Sequence, residues 1–315
     1  MRAIQVLGSK ASPEIFLNQS LPKPALQKSD ILIQVTAAGV TGDEILWPEL
    51  YETPFRIPGH ELSGTISELG PEYRGSLVIG QEVFAFTEAD RGQCHAEYAI
   101  CSENEVAPKP ASISHLEAAA LPIPLLTTFE AILDHGKVRP GMRVLITGAS
   151  GAVGRIGVQL VARLVDSHAI ALASYKNHDA LRNLGADEVI DYASTGWESK
   201  VDAVDVVFDT VGGTVLKKSW ETVKEDGLIV TVGDPPPSWA FQDLRPDEAS
   251  SRPYVRYKYF IVAPNAERLR QASEMIDTGS LRPLMVKSFG YEEAEKAWAY
   301  ARQRGREKKA VICFL

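Results

Sequence analysis

The stretch RVLITGASGAVGRIGVQLV, residues 143–161, sets Gly148, Gly151 and Gly154 between an apolar run (143–147) and a segment of helical periodicity. In that segment Val153, Gly157, Val161 and Ile156, Leu160, Leu164 recur at every fourth position. This predicts a strand, a glycine turn and an amphipathic helix from Gly151 to about Val165. Glycines without Cβ let the backbone turn tightly and let a pyrophosphate approach the helix N-terminus, where free N–H groups and the dipole favour anions. The spacing is G-x-x-G-x-x-G, not G-x-G-x-x-G, so the motif gains its meaning from the strand and helix around it. A glycine turn that serves packing alone is the competing reading.

Working outward, further strands are expected at AIALA (169–173), VDVVF (204–208), LIVTV (228–232) and Tyr257–Val262, with helices over Asp179–Leu184 and near 214–223. Regular βα alternation predicts a parallel sheet. The second strand is followed by Ser174, Tyr175 and Lys176, where an NAD site would want a carboxylate for the ribose 2′-hydroxyl. A hydroxyl and an ammonium suit a 2′-phosphate, so NADPH is expected over NADH; the alternative is a solvated loop lysine. Before this region lie short β-like runs such as Ile31–Ala37 and Gln81–Ala85, then helical segments Ile113–Leu121 and Thr127–Leu133. After it come helices Ala266–Thr278 and Glu292–Arg302 and a strand Ala310–Phe314, expected to rejoin the earlier sheet. Pro235–Pro237 marks a rigid loop.

The chain has 315 residues, 45% hydrophobic and 23% charged, enough for about two globular domains. Its net charge of −8, with no basic block, argues against a nucleic-acid partner. Cys94, Cys101 and Cys313 form no C-x-x-C pair, which disfavours a disulfide framework or a structural zinc lobe and fits a reducing, cytoplasmic setting. MRAIQVLGSK lacks an apolar h-region, and the apolar stretch Ala118–Leu126 contains Pro122 and Pro124, so neither signal peptide nor membrane span is expected.

These features come with AAGVTGDE (37–44), IPGHELSGTISELG (57–70), GQEVFAF (80–86), HAEYAI (95–100), AAALPIPLLTTFEAI (118–132), LGADEVIDY (184–192), VVFDTVGG (206–213) and KKAVICF (308–314). In this order they resemble the medium-chain dehydrogenase/reductase superfamily, in particular its zinc-independent quinone oxidoreductase and enoyl reductase branch. The resemblance implies a Rossmann-type, doubly wound parallel sheet (119–266) inserted in a discontinuous, mostly β, GroES-like catalytic domain (1–118 and 267–315). It further implies that Thr128, Gly148, Gly151, Ala152, Val153 and Gly154 lie along the nicotinamide ribose and pyrophosphate. Ser174, Lys176 and Tyr192 would hold the 2′-phosphoadenosine, while Val211, Val232, Phe260 and Ile261 would border the nicotinamide. Thr41 stands where the family commonly has an asparagine, and Tyr51 is the nearest match to a tyrosine that some enoyl reductases use as proton donor; a tyrosine packed at the cleft rim is the alternative.

Zinc-dependent relatives share GHE (59–61) but need cysteines where this chain has Thr41 and Leu121–Leu125, so no metal is expected and His60 reads as a structural or pocket histidine. TGASGAVG with Tyr254 and Lys258 also mimics the short-chain dehydrogenase pattern, but it starts at residue 147, has Ala152 for a glycine, and puts the Y-x-x-x-K pair in or beside a strand. The expected activity is NADPH-dependent hydride transfer to an enone or quinone, a small-molecule substrate in a dry pocket of Trp47, Tyr51, Phe55, Leu125 and Phe260. The alternative of a different class is a non-catalytic NADPH-binding sensor or scaffold. A homodimer is a further expectation from the resemblance.

Overall fold

The computed structural model describes residues 1–242 and 244–314. In chain order, β1 (Ala3–Ser9) and β2 (Ser12–Asn18) precede β3 (Ile31–Gly39), β4 (Glu61–Leu69), β5 (Glu82–Phe86), β6 (Tyr98–Cys101) and β7 (Val106–Pro108). Helices α1 (His115–Ala119) and α2 (Pro122–Phe129) follow, then β8 (Arg143–Thr147), α3 (Ala152–Gln159), β9 (His168–Ala173), α4 (His178–Leu184) and β10 (Glu188–Asp191). Next come β11 (Val204–Asp209), α5 (Gly213–Ser219), β12 (Val223–Thr231), β13 (Arg256–Tyr259), α6 (Ala266–Asp277), β14 (Val286–Gly290), α7 (Ala294–Ala301) and β15 (Lys309–Cys313).

The chain divides into two compact units, Met1–Leu126 with Ala263–Leu315, and Thr127–Val262. The first division falls eight residues beyond the expected 118/119 boundary because α1 and the start of α2 belong with the first unit. Ala119 and Ala120 pack with Ala37 and Val311, and the Ile123 N–H donates to Glu61 Oε2 at 3.0 Å. Pro122 and Pro124 occupy the first turn of α2, where a missing N–H costs nothing, so prolines start this helix instead of breaking it.

The first unit is built on a seven-stranded sheet path, β14-β15-β3-β4-β5-β7, with β6 also on β3. β15 runs antiparallel to β3, pairing Ile312 with Ala38, so the last strand returns to the N-terminal sheet as expected. Its core gathers Ile31, Ile33, Leu62, Val83, Trp298 and Ile312.

The second unit is a six-stranded sheet in the order β10-β9-β8-β11-β12-β13, and every pairing is parallel. The order reverses between β8 and β11, the switch point where ligands of such sheets bind at the strands' carboxyl ends. Buried on both faces, β8 and β11 read as nearly continuous apolar runs. Three local expectations need correction. The helix predicted to run on to Val165 stays α-helical only to Gln159 and continues through Leu164 as a wider π-type turn. Thr127–Leu133 is likewise split between α2 and a π-type turn over Glu130–His135. The strand expected at Tyr257–Val262 covers Arg256–Tyr259, which leaves Phe260 and Ile261 in the connection that follows.

Candidate functional site

At the end of β8 the chain turns through Gly148, whose φ of +61° is in the left-handed region and whose Cβ would lie 2.4 Å from Thr210 Oγ1. Only glycine fits there. The Gly151 N–H donates to the Gly148 carbonyl at 2.9 Å, and Gly151 then caps α3 with no side chain over the helix end. A Cβ at Gly154 would come within 2.4 Å of the Gly148 carbonyl oxygen and 2.5 Å of Ala149 Cα. The turn and the first helical turn are thus pressed together, and the N–H groups of Ala152, Val153 and Gly154 sit in the part of a helix that has no intrahelical acceptor. This is a cradle for an anionic group on backbone alone.

The opposite wall at the switch point is knitted by one buried carboxylate. Asp209, the last residue of β11, is fully buried. Its Oδ1 accepts from Thr147 Oγ1 at 2.5 Å and from the Val211 N–H at 3.2 Å. Its Oδ2 accepts from the Gly212 N–H at 3.0 Å and Thr231 Oγ1 at 2.6 Å. Thr147 Oγ1 in turn accepts from the Thr210 N–H, and Thr231 Oγ1 from the Gly233 N–H. The ends of β8, β11 and β12 are thereby fixed together, and with them the exposed Val211 and half-buried Val232. Sequence reading did not assign this role to Asp209; a carboxylate closing the apolar run VVF ahead of T-V-G-G was the available signal.

Ser174 opens the turn after β9; Asn177 Nδ2 donates to its hydroxyl at 2.8 Å. Lys176 is exposed in that turn, and the Tyr175 ring leans on His178 at 5.2 Å. Tyr192 follows β10, whose Asp191 pairs with Ala173 of β9, so Ser174, Lys176 and Tyr192 share the carboxyl edge of two adjacent strands. The carboxylate of Asp191 folds back to accept from the Ala193 N–H at 3.0 Å.

Thr128, Phe260 and Ile261 differ in burial. Thr128 is fully buried, and its hydroxyl donates to the Val153 carbonyl at 3.2 Å, which ties α2 to the start of α3. Phe260 is buried against the His135 ring at 4.9 Å, while Ile261 is exposed. Tyr254 is exposed ahead of β13 and Lys258 lies on it, so the Y-x-x-x-K pair is not on a helix.

In the first unit, Thr41 precedes two short 3-10 turns, Glu44–Leu46 and Pro48–Glu52, and Tyr51 lies in the second. The Tyr51 hydroxyl donates to the Ile45 carbonyl at 2.9 Å; burial pushes its pKa up, and the Arg56 guanidinium, 5.3 Å from its ring centroid, works against that. His60 Nε2 meets the Ala89 carbonyl at 3.1 Å, and Glu61 is spent on the Lys309 ammonium and the Ile123 N–H. Among the described residues no group of three His, Cys, Asp or Glu side chains could hold a metal ion.

Comparison with known proteins agrees with this architecture. Residues 27–111 match the alcohol dehydrogenase GroES-like domain, and residues 184–312 match a zinc-binding dehydrogenase domain. The chain is 27% identical to a chloroplastic quinone oxidoreductase of Triphysaria versicolor, over 95% of this chain and 94% of that protein. It is also 27% identical to a 2-methylene-furan-3-one reductase of Solanum lycopersicum, over 94% of this chain and 74% of that one. The quinone oxidoreductase structure from Coxiella burnetii superposes with a TM-score of 0.85 at 28% identity, covering 100% of this chain and 99% of that chain. With a GroES-like region, a parallel six-stranded sheet and relatives that are quinone oxidoreductases and a 2-methylene-furan-3-one reductase, the chain belongs to the medium-chain dehydrogenase/reductase superfamily of oxidoreductases.

Proposed function

We propose that the protein is an NADPH-dependent, zinc-independent reductase of α,β-unsaturated carbonyls or quinones. The observation that carries the cofactor choice is the grouping of Ser174, Lys176 and Tyr192 on the carboxyl edge of β9 and β10, beside a strand end that offers a hydroxyl and an ammonium to a 2′-phosphate. The dinucleotide, when bound, supplies the hydride.

The chain's own part is binding and orientation. The N–H groups of Ala152, Val153 and Gly154 receive the pyrophosphate, and Lys176 neutralises the 2′-phosphate. Val211 and Val232, fixed through Asp209, give the nicotinamide an apolar, preorganised wall. Without a metal, an enolate or hydroquinone oxygen is stabilised by hydrogen-bond donors, and the hydroxyls of Thr41 and Tyr51 are the candidates. The acceptor class is supported by relatives that reduce a methylene-furanone and quinones. The free thiols of Cys94, Cys101 and Cys313 suit a reducing, cytoplasmic setting.

The test is titration of the purified protein with NADPH and NADH, followed by NADPH oxidation with a panel of enones and quinones. Lys176→Ala is expected to weaken NADPH binding by about 2 kcal/mol, roughly thirtyfold, and to leave NADH unchanged. Equal affinity of the unaltered protein for both dinucleotides would overturn the cofactor choice. NADPH binding with no turnover on either acceptor class would favour a non-catalytic NADPH-binding protein.

A further inference from the structure

Three buried titratable side chains from separate parts of the sequence meet in the first unit. Glu44 is 1% exposed, His60 5% and His95 0%. Glu44 Oε2 lies 3.9 Å from His60 Nδ1, and Glu44 Oε1 lies 3.7 Å from His95 Nδ1. None of these four atoms has a hydrogen-bond partner. Each ring is committed on its other side: His60 Nε2 to the Ala89 carbonyl at 3.1 Å and His95 Nε2 to the Gly39 carbonyl at 3.0 Å. A carbonyl only accepts, so Nε2 carries the hydrogen in both rings, and in the neutral ring Nδ1 is a bare lone pair.

An ionised Glu44 would therefore point an anionic oxygen at the lone pair of a neutral His95, shut away from water, which is a costly arrangement for a buried polar group. A proton on Oε1 removes that conflict, because a carboxylic acid donates to an acceptor nitrogen where a carboxylate only accepts. The remaining surroundings favour that proton. The charged groups facing Glu44 besides the histidines are Asp43 and Glu61, both acidic, and the Cys94 thiol beside it is held neutral by burial. Trp47 packs on His60 and Trp298 on His95, each with ring centroids 5.0 Å apart, which closes the pocket with apolar faces.

We propose that Glu44 is a positioning residue whose neutral carboxyl, set between His60 and His95, donates to the unprotonated Nδ1 of His95 and thereby anchors the turn from Thr41 to Tyr51. That turn hangs on Glu44 directly. The Glu44 N–H donates to the Thr41 carbonyl, the Trp47 N–H to the Glu44 carbonyl at 3.2 Å, and Trp47 Nε1 to Asp43 at 3.0 Å. The turn's place beside the substrate rests on the reductase reading above; the protonation of the cluster does not.

The cluster gives a stability signature. Burial, opposed by His60, raises Glu44 from 4.5 to about 7, so its contribution to stability is full below 4.5 and is lost as pH rises through about 7. Burial lowers His95 from 6.5 to about 3, so its contribution is present above 6.5 and is lost as pH falls through about 3. Between 4.5 and 6.5 the two slopes oppose each other, and folding moves a proton from an imidazolium to a carboxylate without net uptake.

The test uses urea unfolding of the full chain across this range and histidine ¹⁵N spectra of the unaltered protein. Glu44→Gln keeps the shape and removes one slope. Its folding constant relative to the unaltered protein is expected to rise on the order of a hundredfold between the two Glu44 values and then level off. The spectra at about pH 6 are expected to show the His95 ring neutral with the hydrogen on Nε2. In turnover, the unaltered protein is expected to lose kcat above about pH 7 while Glu44→Gln does not. A flat stability ratio, or an imidazolium signal from His95, would overturn the proposal, and the spectra decide alone if the variant does not fold. Activity absent on every acceptor, with the stability and spectral signatures intact, would sink the reductase reading and the turn's catalytic role while leaving the neutral Glu44 standing.

Discussion

Asp209 in the second unit and Glu44 in the first are both carboxyls shut away from water, yet Asp209 accepts four hydrogen bonds and Glu44 accepts none. The four donors of Asp209 come from the ends of three neighbouring strands, so its oxygens act as the knot of the switch point. Glu44 faces the acceptor Nδ1 of His95 and has to bring its own donor. A buried carboxyl therefore says little by itself; what it can do is set by whether its neighbours donate or accept.

The largest effect should come from breaking the satisfied side of this comparison. Asp209→Ala strands two hydroxyls and two backbone N–H groups, and at about 1–3 kcal/mol for each buried donor left unpaired it is expected to cost about 4 kcal/mol of stability in urea unfolding. NADPH affinity should fall with it, because Val211 and Gly212 lose their hold. A loss below about 1 kcal/mol would mean that water replaces the carboxylate freely.

Next in size is a change that leaves every side-chain partner in place and attacks the backbone cradle. Gly154→Ala puts a Cβ 2.4 Å from the Gly148 carbonyl oxygen and 2.5 Å from Ala149 Cα, both main-chain atoms that cannot step aside cheaply. Dinucleotide affinity is expected to drop by about 3 kcal/mol, roughly a hundredfold or more, in calorimetric titration. The smallest effect belongs to the turn that Glu44 anchors. Tyr51→Phe removes one hydrogen bond to the Ile45 carbonyl and should cost about 1 kcal/mol of stability. If its turnover falls much further than that accounts for, Tyr51 donates the proton; if turnover is retained, the hydroxyl serves the turn only.

The second unit was the more legible of the two in sequence. β8 was expected at residues 143–147 and is found there, and the glycines of the turn take the conformations their positions require. Strand and glycine signals are local, since each depends on residues a few places apart. The first unit was harder to read. β1, β2, β4, β6, β7 and β14 carried no assignment, because short strands between prolines and glycines lack a long period. The π-type ends of α2 and α3 also escaped, since a widened turn leaves the apolar repeat almost unchanged.

The candidate site divides in the same way. Sequence alone determined the glycine turn and the absence of a carboxylate directly after β9, because each is a matter of which residue type stands at one place in a local pattern. Only the tertiary structure decided that Asp209 ties three strand ends, that Thr128 spends its hydroxyl on Val153, and that Glu44, His60 and His95 converge. Hydrogen bonds between residues 22 to 62 positions apart are specified by how strands pair and layers pack, and no spacing along the chain announces them.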